Sequence, residues 1–100
     1  MAAASPEELE TLLEDALLLQ DDAAVAALFV DSCVLVAEHG CVRERTEAAE
    51  FLLRHEFIAG ARSVTVVRDV AVVVGDHTVN VSCRGVDRRW RLVATVLSLL

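Results

Sequence analysis

The last nine residues of the chain, LVATVLSLL, carry no charge, and directly before them Arg88, Arg89 and Arg91 flank its one tryptophan, Trp90. A stretch of this kind can be a membrane anchor, a nucleic-acid contact or a strand of a folded core. It is far shorter than the roughly 20 apolar residues that a helix needs to span a bilayer. Read with a period of two, Trp90, Leu92, Ala94, Val96 and Ser98 form one face, and Arg91, Val93, Thr95, Leu97 and Leu99 the other. Both faces are largely apolar, which marks a strand covered on both sides. Trp90 then sits at the wet end, its ring buried and its N–H near water.

The segments before it are also strand-like as far back as Ser63. TVNVSC alternates, with Val79, Val81 and Cys83 on one face and Thr78, Asn80 and Ser82 on the other. Asn80 and Ser82 either line a pocket or face solvent; the pattern does not choose. Gly75-Asp76 and the run from Arg84 to Asp87 are turn signals. SVTVVRDVAVVV reads as one long strand, bent or bulged near Arg68-Asp69 where the alternation breaks.

The first half is helical in pattern. Ser5, Pro6 and Glu8 form a capping box ahead of an apolar stripe of Leu9, Leu12, Leu13, Ala16 and Leu17. Asp21 and Asp22 cap a second helix, AAVAALFV, with Val25, Leu28 and Phe29 facing inward. Asp31 and Ser32 break it before a strand over residues 33–38 and a turn at His39-Gly40. Thr46 opens a third helix, with Phe51, Leu52 and His55 facing inward and Gly60 as its C-cap. Helices followed by a run of strands make an α+β protein, its helices on one face of a curved antiparallel sheet.

Composition narrows the function classes. Sixteen carboxylates against nine arginines, with no lysine, give a formal charge of −7. That charge opposes phosphate-driven nucleic-acid binding, so no nucleic-acid partner is expected, and the arginines around Trp90 read as solvated turn residues. The start has neither the basic nor the apolar region of a signal peptide, and no membrane association is expected. Cys33, Cys41 and Cys83 are odd in number and widely spaced, which predicts free thiols and a cytoplasmic location. No histidine pair has metal-ligand spacing, so neither a metal nor a cofactor is expected. One hundred residues make one domain, 1–100, and the hydrophobic fraction of 55% is more than such a domain easily hides. A homodimer joined through one sheet face removes the excess.

Three patterns carry a resemblance: QDDAAVAALFVDSCVLV, VRERTEAAEFL and DRRWRLVATVLS. In this order and spacing the chain resembles the nuclear transport factor 2-like superfamily, which includes ketosteroid isomerases and SnoaL-like cyclases. The resemblance implies a small, bacterial, cystatin-like cone with three helices packed on the concave side of the sheet. Glu44 stands where that family usually has glycine before the arginine of the helix entry, and the chain is short for it. A ligand in this fold lies between helices and sheet. The lining residues so implied are Leu13, Leu17, Phe29, Cys33, Leu35, Ala37, Phe51, His55, Val93, Thr95 and Leu97.

The family's catalytic sets do not carry over. The ketosteroid isomerase base falls on Ala37, with Glu38 its neighbour on the other face, and the chain has no tyrosine to hold an enolate. A cyclase carboxylate on the last strand is replaced by Arg91, Thr95 and Ser98, and none of these is an acid/base at neutral pH. The epoxide hydrolase arrangement fails at Arg68 and Asp69, which are adjacent and so point apart. His77 reads as turn chemistry, Cys33 as core, and Arg45 as the partner of a nearby carboxylate. Two expectations remain. One is a noncatalytic homodimeric binding module with a small apolar pocket and an apolar ligand. The other is a small isomerase, cyclase or dehydratase acting through His39, Glu38 and Arg91, of which Arg91 needs a partner if buried.

Overall fold

The computed structural model describes residues 3–38, 40–54 and 62–97. Its elements run α1 (Pro6–Leu18), α2 (Asp22–Ala27), β1 (Phe29–Ala37), β2 (Gly40–Val42), α3 (Arg45–Arg54), β3 (Ser63–Val67), β4 (Val70–Val74), β5 (Thr78–Arg84) and β6 (Trp90–Leu97). The strands form one curved, unclosed sheet in the order β2-β1-β6-β5-β4-β3. Neighbours are antiparallel, except that β1 and β6 run parallel. The predicted α+β class and the closing strand are both present.

The helix starts follow from their caps. Ser5 has extended backbone and its hydroxyl accepts from the Glu8 N–H at 3.1 Å. Glu8 reaches back to the N–H of Ala4 at 3.2 Å, one residue earlier than a capping box requires. Asp21 caps α2 through the N–H of Ala24. Glu44 caps α3: its carboxylate accepts from the N–H groups of Thr46 at 2.9 Å and Glu47 at 3.1 Å. These bonds hold its carboxyl below the usual glutamate range. The C-terminal part of the predicted third helix, including His55 and Gly60, lies outside the described residues.

Three predicted elements are corrected. The second helix ends at Ala27, and β1 starts at Phe29 and runs through Asp31 and Ser32. The cause is tertiary: Leu28 accepts from the Leu92 N–H at 2.8 Å, and Phe29 pairs with Leu92, so the ladder captures residues that a helix pattern claims. Residues 63–74 are a hairpin, not a bent strand. Val67 pairs with Val70 across Arg68 and Asp69, and Arg68 takes a left-handed φ of 54° to close the turn. Last, β6 does not alternate throughout. Val81 pairs with Ala94 but Ser82 pairs with Leu92, so Val93 is an extra residue. That bulge puts Trp90, Leu92 and Thr95 on one buried face.

The core lies between the helices and this face. Leu9, Leu13, Val25, Phe29, Cys33, Leu35, Ala48, Leu52 and Leu92 are buried in it. Trp90 closes one end: its backbone N–H donates to the carbonyl of Ala3, and the Arg84 guanidinium stands 5.8 Å from its ring centroid. Phe29 is fully buried and pairs with Leu92 of β6 at the point where helix gives way to sheet. Truncating it (Phe29→Ala) is expected to cost about 3–5 kcal/mol in urea denaturation, against about 1 kcal/mol for Ser5→Ala at the α1 cap.

Candidate functional site: a polar network on the helix-covered face

Strands β5 and β6 turn their polar positions inward. Asn80 and Thr95 are paired across the ladder and both 2% exposed, and Ser82 shares their face. The valines and alanine between them, Val79, Val81 and Ala94, point to the other side. The two readings left open for Asn80 and Ser82 resolve in favour of the interior.

The network they enter is completed from α1. Glu10 belongs to the apolar stripe by position, at i relative to Leu13 and Leu17, and is 5% exposed. Asn80 Nδ2 donates to both of its carboxylate oxygens at 3.1 Å, while Asn80 Oδ1 accepts from Thr95 Oγ1 at 2.8 Å. Arg62 Nη1 lies 3.5 Å from the same carboxylate, and its Nη2 pairs with Glu14. Burial pushes the Glu10 carboxyl above its ordinary value, against the opposing pull of Asn80 and Arg62. Ser82 Oγ is buried with no partner among the described residues.

The site residues predicted from sequence divide into groups. Leu13, Leu17, Phe29, Cys33 and Leu35 are members of the buried core, and Ala37, Phe51 and Leu97 pack against it. Thr95 belongs to the network, Val93 is the bulge residue outside the core cluster, and His55 lies outside the described residues. The Cys33 thiol is raised by burial, as suits an inert core thiol. Glu38 is exposed, and His39 lies outside the described residues.

Arg91 is bound to Asp87, with Nη1–Oδ1 at 3.1 Å and Nη2–Oδ2 at 2.7 Å, and its side chain is 37% exposed. The pair holds the Asp87 carboxyl down to about 2 and raises the guanidinium further. Gly85 makes room for it: a Cβ there would stand 3.0 Å from Asp87 Oδ1. Arg91 and Glu38 also sit at opposite ends of the β1–β6 pair, since Phe29 is level with Leu92 and Val36 with Val96. About 17 Å or more of strand separates them, so they do not converge.

What sequence reading missed is Glu10, which the apolar stripe of the first helix passes over. The signal was present in Asn80 and Thr95, polar residues at inward positions of two strands, which require a buried partner. Among the described residues no three His, Cys, Asp or Glu side chains converge as metal ligands, and no helix is long and apolar enough to cross a membrane.

Two substitutions probe the network. Because the folded-state value of Glu10 is raised, its contribution to stability is full below the unfolded value of 4.5 and is lost as pH rises through the folded value. Glu10→Gln is therefore expected to be more stable than the parent at pH 8, with the difference shrinking toward pH 4; denaturant midpoints across that range measure it. Ser82→Ala removes a buried hydroxyl that has no partner, and is expected to leave stability unchanged or raise it by about 1 kcal/mol. A clear loss would mean that the hydroxyl is bonded.

No family model matches the sequence, and no curated protein matches it. Solved structures do resemble it in shape. A presumed ketosteroid isomerase from Shewanella frigidimarina superposes with a TM-score of 0.74 at 17% identity, over 90% of this chain and 91% of that one. An NTF2-like protein from Cytophaga hutchinsonii gives 0.73 at 15% identity, over 93% of each chain. A cystatin-like fold protein from Burkholderia xenovorans gives 0.72 at 20% identity, over 94% of this chain and 88% of the other. Identities this low establish the fold and leave the chemistry to the residues.

Proposed function

Taking the nuclear transport factor 2-like fold as given, we propose that this chain is a noncatalytic homodimeric binding module whose two copies meet through the outer faces of their sheets. The observation that carries this reading is a valine-rich outer face. Asn80, Ser82 and Thr95 face the helices among Leu35, Ala71, Val73 and Leu92, while most of the sheet's valines face away. Val36, Val96, Val79 and Val74 form one row across four strands, and Val34, Ala94, Val81 and Val72 the next. Val36, Val70, Val74 and Val96 are each between 39% and 47% exposed.

Four strands about 4.8 Å apart and about five residues long give an apolar patch on the order of 19 Å by 17 Å. A contiguous patch of a few hundred Å² on so small a chain marks an interaction site, and the rest of the sheet face would supply the remainder of the roughly 800 Å² per partner of a stable interface. A second copy fits because the face is self-complementary: rows of valine pack on rows of valine, as in sheet sandwiches. The ligand of this reading would be apolar and lie against Leu13, Leu17, Phe29 and Leu35, with the unpartnered Ser82 hydroxyl to meet its one polar group. Free Cys33, Cys41 and Cys83 agree with a cytoplasmic setting.

The buried Glu10 carboxyl favours the second reading, a small enzyme, in which this group and not His39, Glu38 and Arg91 exchanges a proton with substrate. In that case Glu10→Gln abolishes turnover; in the preferred reading it changes stability alone.

Sedimentation equilibrium tests the dimer. The protein is expected at twice its 10.8 kDa chain mass in the micromolar range. Val81→Glu is expected to give a folded monomer, dissociation by sedimentation and retained circular dichroism being the two readouts. A parent protein that stays monomeric at 100 micromolar (an upper working concentration of about this order exposes even weak pairs) overturns the proposal.

A further inference from the structure

The Glu10–Asn80–Thr95 chain of hydrogen bonds can be read in either direction. As it stands, the amide N–H groups of Asn80 face Glu10 and its oxygen faces the Thr95 hydroxyl. The two ends of a carboxamide are nearly the same size, and a threonine hydroxyl both donates and accepts. Turning the Asn80 amide over therefore needs no extra space. It presents an acceptor to Glu10 and a donor to Thr95, which is the arrangement that a protonated carboxyl requires.

We propose that Glu10, Asn80 and Thr95 form a reversible proton latch: uptake of one proton by Glu10 turns the Asn80 amide over, keeps α1 tied to β5 and β6, and frees Arg62 from Glu10. The proton comes from solvent and ends on one carboxylate oxygen, which becomes the donor to Asn80 Oδ1; Asn80 Nδ2 then donates to Thr95 Oγ1. The charged groups facing Glu10 are Arg62, immediately before β3, and Glu14 on its own helix. Both lie toward solvent, at 27% and 21% exposure, and mark the side from which the proton arrives. When Glu10 is neutral, Arg62 keeps only its pair with Glu14, so the entry to β3 is held by one carboxylate in place of two.

The raised carboxyl of Glu10 is consistent with this, and the latch makes a sharper claim. If Asn80 bonds both protonation states equally well, it contributes little to the proton affinity of Glu10. If it serves the ionised form alone, its removal must raise that affinity strongly. The experiment is a nuclear magnetic resonance titration of the intact protein, following the Glu10 carboxyl carbon and the Asn80 side-chain N–H protons.

In the parent protein, the Asn80 N–H protons are expected to gain contacts to the Thr95 methyl with the same midpoint as the Glu10 carboxyl. Contacts that stay unchanged through the Glu10 titration overturn the latch. In Asn80→Leu the proton affinity of Glu10 is expected to change by less than about threefold, whereas a rise of about tenfold or more overturns it. Should that variant fail to fold, the contacts in the parent protein decide alone.

Discussion

One extra residue in β6 decides which side chains this protein can bury. Without the bulge at Val93, an unbroken alternation would place Trp90 and Leu92 opposite to Thr95. The chain would then have to choose between an apolar end closed by Trp90 and a polar pair of Thr95 with Asn80. With the bulge it has both. Leu92 reaches the core beside Phe29, while three residues later Thr95 meets Asn80 and, through it, Glu10 on α1. The burial of Trp90, Leu92 and Thr95 on one face follows from this single irregularity.

The balance inside is a physical compromise. A carboxylate in an apolar interior is costly, and replacing such groups by hydrocarbon often stabilises a fold. Glu10 is kept because its neighbours are arranged for it: an amide held at its far end by a hydroxyl, and a guanidinium shared with Glu14. The outer face bears the complementary cost of valines left in water. A structure with a small polar network inside an apolar core and a valine-rich face outside is organised for contact on both faces.

Much of the architecture was legible in sequence, because caps and periodicity are local. Ser5, Asp21 and Gly75-Asp76 mark their boundaries by backbone chemistry that acts within a few residues. The misreadings share one cause. Phe29 was assigned to a helix, residues 63–74 to one strand, and β6 to an unbroken alternation, and each is set by pairing with a distant segment. Glu10 was missed for the same reason, since its partner Asn80 lies 70 residues away. Glu44 is a local exception: two backbone N–H groups one turn ahead make it the cap of α3, a role its sequence position did not announce. Arg91, singled out as a possible ligand contact, found its partner four residues back in Asp87.

The parallel pairing of β1 with β6 has a consequence for how the protein is made. Val36 and Val96 are neighbours in the sheet but 60 positions apart in the chain. At ribosomal rates of about 5–20 residues per second, β1 emerges some 3–12 s before its partner exists. During that interval Phe29, Cys33 and Leu35 have helices beside them but no β6 to pair the open edge of β1. The later strands face no such delay, since β3 to β6 join by successive hairpins that close as they are synthesised. The first half of the molecule thus waits on the second, and the unpaired edge of β1 is where a chaperone, or another unfinished chain, would take hold.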